Sequence, residues 1–142
     1  MAAVDHLGRQ WSVQHRGEHL FGGEYATVHA PSGEAVGHMR FRTGDDPFVP
    51  VPGHTFVEYV NVDSEHRGQG AARALYQGVH AHTERPFVHS RDDMTPEARK
   101  TVTRLAAENP GVHREIAFKK GGGRDWDRGT VPWAGERKPR RR

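Results

Sequence analysis

The sequence predicts an α/β fold of the α+β kind, a mixed sheet whose antiparallel N-terminal strands lead into a βαβ unit. Three observations predict it. Two alternating runs flank a loop holding Pro31 and Gly33. A strand rich in β-branched and aromatic residues, His54 to Val62, feeds a polar turn, a glycine pair and an Ala/Leu-rich helix. A second short strand, Pro86-Phe-Val-His-Ser90, follows that helix, and strand–helix–strand over this length makes a right-handed crossover between parallel strands.

Residues 1–10 have no periodicity and are expected to be loose. Trp11-Ser-Val-Gln-His15 alternates as a first strand. Residues 16–23 are too short and too Gly-rich for a pair of helices. The hairpin follows, with strands at residues 24–30 and 35–42. Thr43 to Gly53 must be a loop, because Pro47, Pro50 and Pro52 remove ladder donors and bias their predecessors away from helix. After the strand and turn, a helix is expected from about Gly70 to Ala81, with Ala71, Leu75 and Val79 on one face. Thr95 is suited to cap a second helix, with Pro96 at its first position and Glu97 in its first turn. Val102, Leu105 and Ala106 give that helix its apolar face, and Asn109-Pro-Gly111 ends it. Val112 to Lys119 reads as a last strand. In the polar remainder, one of Trp126, Val131 and Trp133 is expected to dock back on the sheet.

Composition narrows the chemistry. The 142 residues fit one domain, and a mean hydropathy of -0.86 implies a lean core. The chain has no cysteine, which excludes disulfides, thiol nucleophiles and thiolate metal sites. The first 30 residues contain no long apolar run, so neither a signal peptide nor a membrane span is expected, and a cytoplasmic location follows. Charge is uneven. Residues 1–118 hold 12 Lys/Arg and 15 Asp/Glu, whereas residues 119–142 hold 9 and 3. The expected division is therefore a mildly acidic domain, 1–118, and a basic, flexible C-terminal tail, 119–142.

The functional signal lies in the turn. At the start of a helix several N–H groups lack intrahelical partners and the macrodipole favours negative charge, which suits a phosphate or pyrophosphate. Gly68 and Gly70 lack Cβ atoms that would hold an anion away. No P-loop run occurs, and the dinucleotide fingerprint fails at Arg73, where it needs a third glycine. What fits is Arg-x-x-Gly-x-Ala at Arg67, Gly70 and Ala72, after a strand ending Val60-x-Val62. Over residues 54–82 this resembles the GNAT superfamily of acyl-CoA-dependent N-acyltransferases, whose pyrophosphate loop reads Gln/Arg-x-x-Gly-x-Gly/Ala.

The resemblance implies an N-acetyltransferase moving an acetyl group from acetyl-CoA to a primary amine by direct attack in a ternary complex. It places the acetyl-CoA site at Val60, Asn61 and Val62 and at Arg67, Gly68, Gln69, Gly70, Ala71 and Ala72, with the pantetheine arm paired to the strand. It also makes the N-terminal half look abbreviated, since most family members carry two helices there.

For the general base, Glu58 lies in the region where many members carry a Glu or His, and period 2 puts it on the face of Val60 and Val62. His54, four residues earlier, is the second candidate. The family often uses a Tyr as acid, but none occurs beyond Tyr76, so His89 and Ser90 at the end of the next strand are the candidates for contacting acetyl-CoA or protonating the leaving thiolate. Asp45 and Asp46 suggest an acceptor that is cationic before deprotonation.

Other readings are weighed against this one. The pairs His15/His19 and His80/His82 invite a metal site, but Gly17 interrupts the first and the second diverges on a helix, so no metal is expected. A member that binds acyl-CoA without turnover is one alternative. A small basic protein whose tail, Arg137 to Arg142, contacts nucleic acid phosphates is another.

Overall fold

A computed structural model of the protein describes residues 2–4, 10–18, 23–44, 46–90, 94–116 and 130–133. In chain order the elements are β1 (Ala2–Val4), β2 (Gln10–Glu18), β3 (Glu24–His29), β4 (Ala35–Arg42), β5 (Thr55–Val62), α1 (Ala71–Thr83), β6 (Phe87–His89), α2 (Pro96–Glu108), β7 (His113–Ile116) and β8 (Thr130–Pro132). Among the described residues these strands form one eight-stranded sheet in sequence order. β1 to β5 are antiparallel neighbours, β5–β6–β7 are parallel through the two helical crossovers, and β8 returns antiparallel to β7.

Both helices contribute to one core cluster. Val13, Ala26, Val28, Met39 and Phe41 from the sheet meet Leu75 and Val79 of α1, with Val102, Leu105 and Ala106 of α2. α1 lies close on the sheet because residue 78 has no side chain: a Cβ there would fall 2.8 Å from that of Val13. On the opposite face a small cluster of Val51, Val88 and Ile116, with Phe56 against it, is covered by the proline-rich loop.

The expected caps hold. Thr95 Oγ1 accepts from the Ala98 N–H at 3.1 Å, with Pro96 at the helix start. α1 begins after Gly70, whose φ of 100° is a conformation that favours glycine. The hairpin turns at Gly33, φ 93°.

Several boundaries differ from expectation. Residues 2–4 pair with Gln10–Ser12 as an edge strand, although residues 1–10 were expected to be loose. β2 continues from His15 to Glu18 through an irregularity between Arg16 and Glu18, which removes most of the room for helices before β3. The folded unit also extends past residue 118. Thr130–Pro132 pair with Arg114–Ile116, and Trp133 is fully buried with its Nε1–H donating to Thr103 Oγ1 at 3.0 Å. Of the three candidates, Val131 pairs in the sheet and Trp133 docks in the core. Trp126, and the basic run from Arg137, lie outside the described residues.

Candidate active site: a cleft at the open edge of β5

β5 has eight residues but pairs with β6 only at Thr55 and Phe56, so beyond Phe56 the two strands form a fork. The ladder phase shows what the open edge presents. The Asp63 N–H donates to the Val36 carbonyl at 2.8 Å. In an antiparallel ladder alternate residues face the partner, so Asn61 turns its N–H and C=O toward β4, and Val60 and Val62 turn theirs into the fork. A side chain confirms the direction: Arg67 Nε donates to the Val62 carbonyl at 3.0 Å.

From β5 the chain passes through a 3-10 turn, Ser64–His66, into Arg67–Gly70. Gly68 and Gly70 both have positive φ, 75° and 100°. Ala74 is the residue whose N–H bonds back to the Gly70 carbonyl, at 2.9 Å. The N–H groups of Ala71, Ala72 and Arg73 therefore have no intrahelical acceptor and form a positive helix end at the fork.

These parts border one cleft of about 950 Å³ between the β5 edge, α1 and α2. Of the nine residues expected to hold acetyl-CoA, all but Gln69 line it; the Gln69 side chain instead donates to the Glu65 carbonyl at 3.3 Å. His66 also borders the cleft, and its buried Nδ1 has no hydrogen-bond partner. The open strand edge, the positive-φ turn and this unpartnered ring nitrogen together suit a long ligand with polar groups along its length and an anionic centre at the turn.

The catalytic candidates are arranged differently from expectation. Arg40 opposes Tyr59 and Phe41 opposes Val57, so Glu58 is an extra residue, a β-bulge. Period 2 fails there, and Glu58 does not share the face of Val60 and Val62. Its Oε1 accepts from Arg40 Nε and Arg42 Nε, both at 3.0 Å, on the face away from α1. Arg42 also bonds Asp46 Oδ2 at 2.9 Å, and Asp46 Oδ1 accepts the Phe48 N–H. That carboxylate thus anchors the loop, and Asp45 lies outside the described residues. His54 precedes β5 and its Nδ1 pairs with the Pro52 carbonyl at 3.0 Å, which holds it at the paired end of the fork.

On the other arm, His89 is a packed strand histidine. Its Nε2 lies 3.0 Å from His113 Nδ1, and both rings are buried with Phe87, Tyr76 and Trp133 around them. Burial, then the neighbouring His113, holds His89 well below the ordinary imidazole range. Burial, then His80, lowers His113 to about 4. Ser90 is half-buried immediately after β6 and does not line the cleft.

Sequence reasoning missed Tyr76. It borders the cleft one helical turn after Ala72, and burial pushes its phenol pKa upward, so it is a protonated hydroxyl. The i, i+4 spacing to Ala72 was the available signal. A second hollow, about 360 Å³, lies on the opposite face over Tyr25, Thr27, His38 and Asn61, so Asn61 borders both cavities. The histidines regroup as well. His15 stacks on His82 at 4.0 Å, His19 lies outside the described residues, and among the described residues no group of three His, Asp or Glu could hold a metal.

The family model described as Acetyltransferase (GNAT) family matches residues 3–91, which run from β1 through the turn and α1 to the end of β6. The chain belongs to the GNAT acetyltransferase family. Among solved structures, this GNAT chain is similar to a protein from Bordetella pertussis assigned to the GnaT acetyltransferases, at 22% identity and a TM-score of 0.42. That match covers 72% of this chain and 62% of the other, so the chain spans less than two thirds of that protein. It is also similar to the aminoglycoside antibiotic 6'-N-acetyltransferase AAC(6')-Ih from Acinetobacter baumannii, at 18% identity, 71% coverage of each chain and a TM-score of 0.39. No curated protein matches the chain. No helix among the described residues is long and apolar enough to cross a membrane.

Proposed function

We propose that this GNAT domain is a cytoplasmic N-acetyltransferase that moves the acetyl group of acetyl-CoA to a primary amine by direct attack in a ternary complex. The observation that carries the reading is the continuity of the cleft. An unpaired strand edge at Val60–Val62 leads directly to the Gly68/Gly70 turn and the N-terminus of α1. The edge suits the amides of a pantetheine arm, laid down as an added strand, and the helix end suits its pyrophosphate.

The two cavities, on opposite faces and both bordered by Asn61, support a division of labour, with acetyl-CoA on the helical side and the amine on the face that carries Glu58, although Glu58 itself lines neither cavity. Glu58 stands two residues beyond the last paired residue of β5, beside the apex of the fork. As general base it takes a proton from the ammonium, directly or through water. The amine nitrogen then attacks the thioester carbonyl carbon, the C–N bond forms, the C–S bond breaks, and the thiolate takes up a proton. Arg40 and Arg42 fix the carboxylate. His54 is the second candidate for the base. Ser90 is the side-chain candidate for donor to the thiolate, but strand alternation places it with Val88 on the face away from the cleft, which favours a proton from solvent.

The test is an acetylation assay over a panel of primary amines with wild-type protein and Glu58→Gln. The expected result is turnover in the wild type and a loss of roughly a hundredfold or more in kcat for the variant, with KM for acetyl-CoA unchanged. Full activity in Glu58→Gln with loss in His54→Ala would move the base to His54. Absence of turnover with every amine would leave an acyl-CoA-binding protein.

A further inference from the structure

The α1 side of the cleft has a task under the proposed reading, and the α2 side has none. α2 lies outside residues 3–91, so the family match says nothing about it. One face of this helix nevertheless lines the cleft, and it carries Lys100 and Arg104. Four residues apart, these side chains are neighbours on the helix surface. Among the described residues no carboxylate forms an ion pair with either.

Their position relative to the turn follows from a third contact. Glu108, one turn beyond Arg104, forms an ion pair with Arg73 in the first turn of α1. Arg104 and Lys100 therefore lie one and two helical turns along α2 from the residue that reaches the first turn of α1, on the same wall of the cleft. Glu97 also borders the cleft, but Glu108 is already neutralised by Arg73. With Arg73 set against Glu108, Lys100 and Arg104 outweigh Glu97 on this wall, although residues 1–118 hold more Asp/Glu than Lys/Arg. A pyrophosphate at the end of α1 leaves these two cations unused.

The geometry points to a phosphate-monoester subsite at Lys100 and Arg104, beside the pyrophosphate turn, which selects acyl-CoA by the phosphate on its ribose. A phosphate monoester carries nearly two negative charges at neutral pH, and a Lys–Arg pair offers charge-assisted donors to it. The subsite rests on the acetyl-CoA reading, and it makes this domain discriminate acetyl-CoA from acetyl-dephospho-CoA, which lacks only that phosphate.

Calorimetric titration of both ligands into the wild type and into the double variant Lys100→Ala/Arg104→Ala tests it. Both side chains are exposed, so the variant should fold, and its affinity for acetyl-dephospho-CoA serves as the internal control. The wild type should prefer acetyl-CoA by roughly tenfold at moderate salt, and the preference should shrink as salt is raised. The double variant should bind both ligands about equally, with its affinity for acetyl-dephospho-CoA unchanged. Equal affinities in the wild type, or a preference that survives in the variant, would overturn the subsite while leaving the acetyl-CoA reading intact. Binding of neither ligand by the wild type would remove that reading and the subsite with it.

Discussion

The two arms of the fork are built on different principles. The β5 arm is one unbroken stretch, Thr55 to Tyr76, and what it presents to the cleft is largely backbone: the edge groups of Val60 and Val62, and the N–H groups at the start of α1. The β6 arm is gathered from distant segments and held by side chains. His89, His113 and Trp133 meet under α1 and α2, and Lys100 and Arg104 face the cleft from α2. A site made from main chain needs only strand, turn and helix in the right order. A site made from side chains needs the whole tertiary structure.

That contrast sets what can be broken. Trp133→Ala should have the largest effect. It empties a fully buried indole site and leaves Thr103 Oγ1 without its donor. The cost should be about 3–5 kcal/mol in urea unfolding, concentrated in an arm the sequence assigned to a tail. A loss below about 1 kcal/mol, the scale of a surface change, would mean that β8 is not part of the cooperative fold.

Acidification should come next. His113 and His89 are held below their ordinary value of 6.5 by burial, so the unfolded state binds more protons than the folded one as pH falls. The stability they confer is complete above about 6.5 and is lost progressively toward about 4, the folded value for His113. For His113 the loss is on the order of 3 kcal/mol. Thermal melts from pH 7.5 to 4.5 should show it, and His113→Gln should flatten the slope. An unchanged slope in that variant would place the acid sensitivity elsewhere.

The smallest effect is local. Thr95→Ala removes the Oγ1 acceptor of the Ala98 N–H and should cost about 1 kcal/mol.

The same contrast explains what was legible in the sequence. The hairpin, β5, α1 and the cap at Thr95 follow from periodicity and turn chemistry, which act over a few residues. β1 and β8, three residues each, are too short to have a period, and only their neighbours make them strands. The face of Glu58 was misread for a sharper reason: one inserted residue at the bulge reverses the alternation for everything before it. Arg40 and Arg42 show where it went, and they come from the preceding strand, β4. Lys100 and Arg104 resemble the solvated face of any amphipathic helix until α1 stands opposite them. Tyr76 was hidden in the same way, inside an apolar run that indicated only a helix core.

In the proposed reading the β5 edge and the α1 N-terminus together bind acetyl-CoA. Ala72→Asp tests it most directly, because a carboxylate in the first turn of α1 suits the helix dipole but repels a pyrophosphate at that end. Calorimetric titration of acetyl-CoA, with melting temperatures for both proteins, should give micromolar binding in the wild type. The variant should show no detectable binding while still unfolding in a single cooperative transition; Ala72 packs against the core, so a small drop in melting temperature is expected. Equal binding by a folded Ala72→Asp protein would mean that the anion lies somewhere other than the turn.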